Sequence, residues 1–130
     1  MAQRRTARGG TAGAGLITAR RHPAGHLEGR AVRGTGRHGE VLASFLQSDV
    51  QGDLEMARAL LAEIGAAERG EAPQPNAVGN AYSVAVSPKG VALRNAVIDD
   101  SRPEQYGFDE LRRALGIWIA AIERARRNPA

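Results

Sequence analysis

All five aromatic residues of the chain, Phe45, Tyr82, Tyr106, Phe108 and Trp118, fall after position 44, and this limits where a core can be built. Aromatic and large aliphatic side chains supply most of the apolar area that a small domain buries. The first 40 residues offer only Leu16, Ile17, Leu27 and Val32 among leucine, isoleucine and valine, yet hold 9 of the 16 glycines and all three histidines. Such a segment buries too little apolar surface to offset its ordering entropy. The expectation is a disordered extension over residues 1–38, one folded domain over 39–127 and a short tail over 128–130. Of the 18 basic residues only Lys89 is not arginine, and alanine and glycine are abundant, as in GC-rich coding sequence. An upstream start or a shifted frame in such DNA yields similar stretches, so a misassigned N-terminus is the other form of this expectation.

Charge divides along the same line. The whole chain carries +4 and has a sequence pI near 10.6, which by itself suggests a nucleic-acid binder. Residues 1–40 contain Arg4, Arg5, Arg8, Arg20, Arg21, Arg30, Arg33 and Arg37 against Glu28 and Glu40, or 8 − 2 = +6. The remainder has 10 basic and 12 acidic residues, or −2.

Beyond residue 40 the apolar pattern becomes legible. Val41, Leu42, Phe45 and Leu46 form a short apolar run that reads as a strand. Asp53 then stands before Leu54, Ala57, Leu60, Leu61 and Ile64, whose three- and four-residue steps share one helical face. Asp53 suits the N-cap of that helix and Gly70 its C-terminal exit. Two prolines mark residues 71–79 as a linker. Tyr82, Val84 and Val86 alternate with smaller residues, Ser87 to Gly90 supplies turn chemistry, and Val91, Leu93 and Val97 resume the alternation, which predicts a hairpin. A last helix begins near Gly107, with Glu110 placed to reach back to its first turn and Tyr106 placed to pack on Leu111. Its buried stripe is Phe108, Leu111, Leu115, Trp118 and Ile122, while Arg124, Arg126 and Arg127 suit the negative end of the helix dipole. The predicted class is α+β: a small antiparallel sheet in the order strand, helix, hairpin, helix, with two helices packed on it.

Few residues are arranged for chemistry. The absence of cysteine excludes disulfides, thiolate metal sites and a cysteine nucleophile. His22 and His26 stand four apart, a metal-pair spacing, but two ligands without a third make a poor site, and they read as tail histidines. Gly10, Gly13 and Gly15 lack the strand, the helix and the Gly-Lys-Ser/Thr ending of a phosphate loop. The expectation is therefore no catalytic residue, no metal and no cofactor. No apolar stretch approaches the length of a membrane span, and a cytoplasmic protein, monomeric or homodimeric, fits these traits.

Two binding surfaces remain. Asp99, Asp100 and Glu104 cluster between the hairpin and the last helix, where an acidic loop could hold a basic protein partner. The alternative is nonspecific binding of nucleic acid, or association with the ribosome, through Arg4, Arg5, Arg8, Arg20 and Arg21. That segment lacks interleaved aromatics, so base readout is not expected of it. An organelle transit peptide is a further reading of the same arginines, since no acidic residue precedes Glu28.

Gly39-Glu40-Val41-Leu42 leading to Phe45-Leu46 and Asp49-Val50, then Gly79-Asn80-Ala81-Tyr82, then Phe108-Asp109-Glu110-Leu111, make the segment from Gly39 to about Arg127 resemble the small bacterial YacL-like proteins. The resemblance implies a compact α+β protein without assigned catalytic residues. It also implies a further strand before Gly39, for which only Leu27 to Arg33 is on offer, and that is a poor strand pattern. The element order is also similar to that of small immunity or inhibitor proteins encoded beside bacterial toxins, which would set Asp99, Asp100 and Glu104 against a basic toxin surface. The expected function is a non-enzymatic protein-interaction module.

Overall fold

The computed structural model describes residues 15–71, 77–78, 81–97 and 102–128. It is an α+β fold with two antiparallel sheets. Strands β1 (Ile17–Arg21) and β2 (Leu27–Ala31) pair from Ile17↔Ala31 to Arg21↔Leu27. Helix α1 (Gly36–Phe45) runs into a π-helical turn at Leu46–Val50, and α2 (Leu54–Glu68) follows. The second sheet has the order β3 (Ala77–Val78), β4 (Tyr82–Ser87), β5 (Gly90–Asn95), β6 (Glu104–Tyr106). Helix α3 (Phe108–Arg127) closes the chain and packs on both β1 and α2.

Two sequence expectations are corrected. Residues 15–38 belong to the fold: Ile17 is fully buried, Leu27 is buried, and β1–β2 packs on α1 and α3. A hairpin with one covered face needs only a few large side chains, because the helices opposite it provide the rest of the apolar contact. Gly29 in β2 contributes by having no side chain at all. A Cβ there would lie 3.0 Å from the Ala43 carbonyl oxygen and 3.2 Å from Cζ3 of Trp118, so the bare backbone is what lets the indole in. The second correction concerns residues 41–46, which are helical. Gly39, Leu42, Ala43 and Leu46 are buried at helical spacing, and a short apolar run is ambiguous until its neighbours fix the period.

The other elements follow the sequence pattern. The Asp53 carboxylate accepts the Met56 N–H at 3.0 Å and caps α2, and Gly70 takes φ +77 at its exit. Tyr82, Val84 and Val86 face inward on β4, as do Val91 and Leu93 on β5, whereas Val97 lies beyond the strand and is 71% exposed. Gly90 opens β5 at φ +137, where a side chain would run into the Tyr106 carbonyl oxygen. Glu110 accepts the Gly107 N–H at 2.9 Å at the start of α3. Most of the linker expected at 71–79 lies outside the described residues, although Ala77–Val78 pairs with β4 as a short strand.

Two buried polar contacts tie these pieces together. Asp49 is the one charged residue among the described residues that is buried, and its carboxylate accepts the backbone N–H groups of Ala81 (3.1 Å) and Tyr82 (3.0 Å) and the Ser48 hydroxyl (2.7 Å). It thereby fixes the π-helical turn to the start of β4. Trp118, fully buried, donates its indole N–H to the Gln51 carbonyl at 2.7 Å.

Trp118→Ala is expected to cost about 3–5 kcal/mol, by loss of a fully buried ring. Asp49→Ala is expected to cost about 2–4 kcal/mol, because it orphans two backbone donors next to the core. Denaturant unfolding of each variant measures both, and a loss below about 1 kcal/mol in either would contradict the role given to that residue.

Candidate functional site

Of the three acidic residues named from sequence, Glu104 is the one that falls among the described residues, and its partners lie on α1. Glu104 on β6 is turned into the fold, its side chain only 20% exposed, and both of its oxygens are engaged. One accepts from the Arg37 guanidinium, which also donates to the Arg102 carbonyl at 2.8 Å. The other lies 2.8 Å from Nδ1 of His38, whose Nε2 lies 3.1 Å from Glu110. The His38 ring stacks on Tyr106 with centroids 4.3 Å apart, and the Tyr106 hydroxyl donates to the His38 carbonyl at 2.7 Å. Asp99 and Asp100 lie outside the described residues.

This cluster acts as a clamp between α1, β6 and α3. Partial burial works against a charged His38, but hydrogen bonds to Glu104 and Glu110 outweigh it and raise the pKa above the ordinary histidine value. With both ring nitrogens bonded to carboxylates, the imidazole has no free nitrogen with which to accept a substrate proton. Burial, then the nearby Glu104 and Glu110 charges, push the Tyr106 hydroxyl well above the usual phenol range, so it stays a neutral donor.

On a different face, the packing of β1 against α3 brings together arginines about a hundred positions apart in sequence. A cleft of about 450 Å³ is bounded by Arg21, His26, Gln47, Gln51 and Arg126, over a floor that includes Leu27 and Ile122. A second cleft, of about 320 Å³, adjoins it through the shared Arg21, Leu27 and Ala125 and carries Arg20 and Arg124. Together they form a basic groove. Arg20 donates to Glu28 at 2.8 Å, which holds that carboxyl below its ordinary pKa, and Arg21 donates to the Asn128 carbonyl. Arg124, Arg126 and Arg127 are exposed, and no carboxylate pairs with them among the described residues.

His22 and His26 sit at the base of the β1–β2 turn, which is closed by the His22 N–H to the His26 carbonyl at 2.8 Å. Their rings stack, with centroids 4.5 Å apart and planes 17° from parallel. Nδ1 of His22 accepts the Ala24 N–H at 2.9 Å, and among the described residues no group of three or more His, Cys, Asp or Glu is placed to hold a metal ion.

Of the arginines named from sequence, Arg20 and Arg21 line this groove, and Arg4, Arg5 and Arg8 lie outside the described residues. Sequence reasoning missed His38, Arg37, Gln51 and the meeting of β1 with α3. A signal for the strand was present: Ile17 and Ala19 alternate with Thr18 and Arg20, and the apolar pair is the more covered. Among the described residues no helix is long and apolar enough to cross a membrane. No protein-family model, curated protein or solved structure matches the chain.

The clamp makes stability depend on pH with a definite sign. Because the folded state raises the His38 pKa, its contribution is fully present below the unfolded value of about 6.5 and is lost as pH rises through the folded value. The loss caused by His38→Gln is therefore expected to be larger near pH 6 than near pH 9, by denaturant unfolding. An equal loss at both ends would refute the clamp.

Proposed function

We propose that the protein is a non-enzymatic cytoplasmic binding module that holds the phosphate backbone of a nucleic acid in the groove between β1–β2 and the end of α3. The observation that supports this reading is the convergence of Arg21, Arg124 and Arg126, none of them paired with a carboxylate among the described residues, on two adjoining clefts, with Arg20, paired with Glu28, beside them. Guanidinium groups along a continuous concave path neutralise successive phosphates and release their counterions. The acidic-loop reading has less support, because both oxygens of Glu104 are already taken by Arg37 and His38. The resemblance to YacL-like proteins assigns no activity and is neutral between the two.

The α3 arginines also have a local purpose, since cations favour the negative end of a helix. That purpose alone does not require β1 to place two more arginines beside them. Arg124→Glu combined with Arg126→Glu leaves the apolar face of α3 intact and reverses the charge of the groove.

Binding of a random-sequence RNA, followed by anisotropy at several salt concentrations, is expected to weaken at least tenfold in this double variant. The slope of log K against log salt is expected to fall by about 0.7 for each phosphate of a single strand that the protein no longer neutralises. Deleting residues 1–14, by contrast, removes Arg4, Arg5 and Arg8 and keeps Arg20, Arg21, Arg124 and Arg126. Binding that survives the double variant but disappears with the deletion would overturn the proposal.

A further inference from the structure

The stacked histidines stand at one end of the groove and bear on what kind of nucleic acid it takes. His26 is exposed and lines the larger cleft, with the half-buried His22 ring parallel to it on one side. The tight turn and the Ala24 N–H bond to His22 hold this pair in place. An imidazole face so fixed, beside an apolar floor of Leu27, Ile122 and Ala125, is a stacking platform of the kind that receives unpaired bases.

Another part of the cleft lining is polar and also fixed. Gln51 has φ +54 and ψ −134, a backbone conformation that side chains other than glycine rarely adopt. It is kept there by its own N–H to the Leu46 carbonyl at 2.8 Å and by the Trp118 indole on its carbonyl. Strain of this kind concentrates where a ligand is held, because a relaxed turn would place the wall elsewhere. Gln47 uses its amide oxygen to accept the Gly29 N–H at 2.9 Å, which leaves its amide nitrogen as a donor at the cleft.

We infer that the larger cleft seats one unpaired nucleotide of a single-stranded nucleic acid, its base on the His26 face and the apolar floor and its phosphate between Arg21 and Arg126. The inference rests on the phosphate-groove reading and adds to it a preference for single strands. A volume of about 450 Å³ suits one nucleotide, and the adjoining cleft continues the arginine path, which a free mononucleotide would leave empty. A base pair cannot enter, because stacking on His26 takes the base out of its helix.

The test uses the full chain and four probes: an RNA strand of about twelve nucleotides, its duplex, an abasic strand of equal length, and adenosine monophosphate as competitor. The intact strand is expected to bind at least about tenfold more tightly than the duplex or the abasic strand at the same salt. His26→Ala, at an exposed turn, should lose about tenfold on the intact strand alone, and His26→Phe should recover it by restoring the ring. Equal binding of strand, duplex and abasic strand, all lost with Arg124→Glu and Arg126→Glu, leaves the phosphate groove standing and overturns the nucleotide seat. Displacement by adenosine monophosphate at the concentration at which the strand itself binds makes the site one for a free nucleotide and overturns the polymer. If no probe binds in a salt-dependent manner, both readings end.

Discussion

The indole of Trp118 is the contact on which the arrangement of the other elements depends. Its ring fills the space left by Gly29 on β2, and its N–H reaches the Gln51 carbonyl in the turn that precedes α2. A strand, a turn and a helix from three parts of the chain are thus fixed by one side chain. Gln51 shows how strong the constraint is. A non-glycine residue at positive φ in this region costs about 1–3 kcal/mol and persists only where its surroundings over-determine it. Here the N–H, the carbonyl and the Asp53 N–H to Val50 carbonyl bond across the turn all hold the same geometry. Because Gln51 also walls the basic cleft, the shape of that cleft is set by the core behind it.

Much of the fold was legible where a pattern is long enough to have only one period. Helix α2 declared itself through Leu54, Ala57, Leu60 and Ile64 with Asp53 before them, and α3 through the stripe Phe108, Leu111, Leu115, Trp118 and Ile122. The hairpin of β4 and β5 was marked by alternation through Tyr82, Val84 and Val86 before the turn and through Val91 and Leu93 after it. The two failures share a physical cause. Five-residue strands such as β1 and β2 bury few large side chains each, so averages over a segment hide them, and the six residues at 41–46 fit two periods equally. Composition measures how much apolar area a segment has, and a hairpin lying on helices needs little of its own. Before Gly39 the chain forms two strands, β1 and β2, where the sequence pattern offered only a poor one.

The site was legible only in parts. Arg20 and Arg21 carried a binding expectation and Arg124 and Arg126 carried a helix-end expectation, but nothing local links the two sets. Their meeting is set by β1 lying along α3, a long-range packing. The acidic loop shows the converse. Of Asp99, Asp100 and Glu104, neighbours in sequence, only Glu104 falls among the described residues, and it turns inward to partners on α1.

Charge counted by segment comes to +6 and −2 as if two separate bodies were present, whereas the fold redistributes those charges across the division. Arg37 of the basic segment neutralises Glu104 of the acidic one, and Glu28 is held by Arg20 and Arg30 within the hairpin. Elsewhere Arg58 pairs with Glu123 and Arg112 with Glu68 and Asp109. Paired charges cancel beyond a Debye length of roughly 8–10 Å, so they contribute little to the field that a ligand meets on approach. What is left is the set without acidic partners, and among the described residues Arg124 and Arg126, in the last turn of α3, line the clefts that Arg21 also lines. The helix end contributes a fraction of one negative charge against several whole positive ones. An apolar floor lies beneath them on one side, so a modest net charge of +4 is compatible with several arginines gathered along one groove.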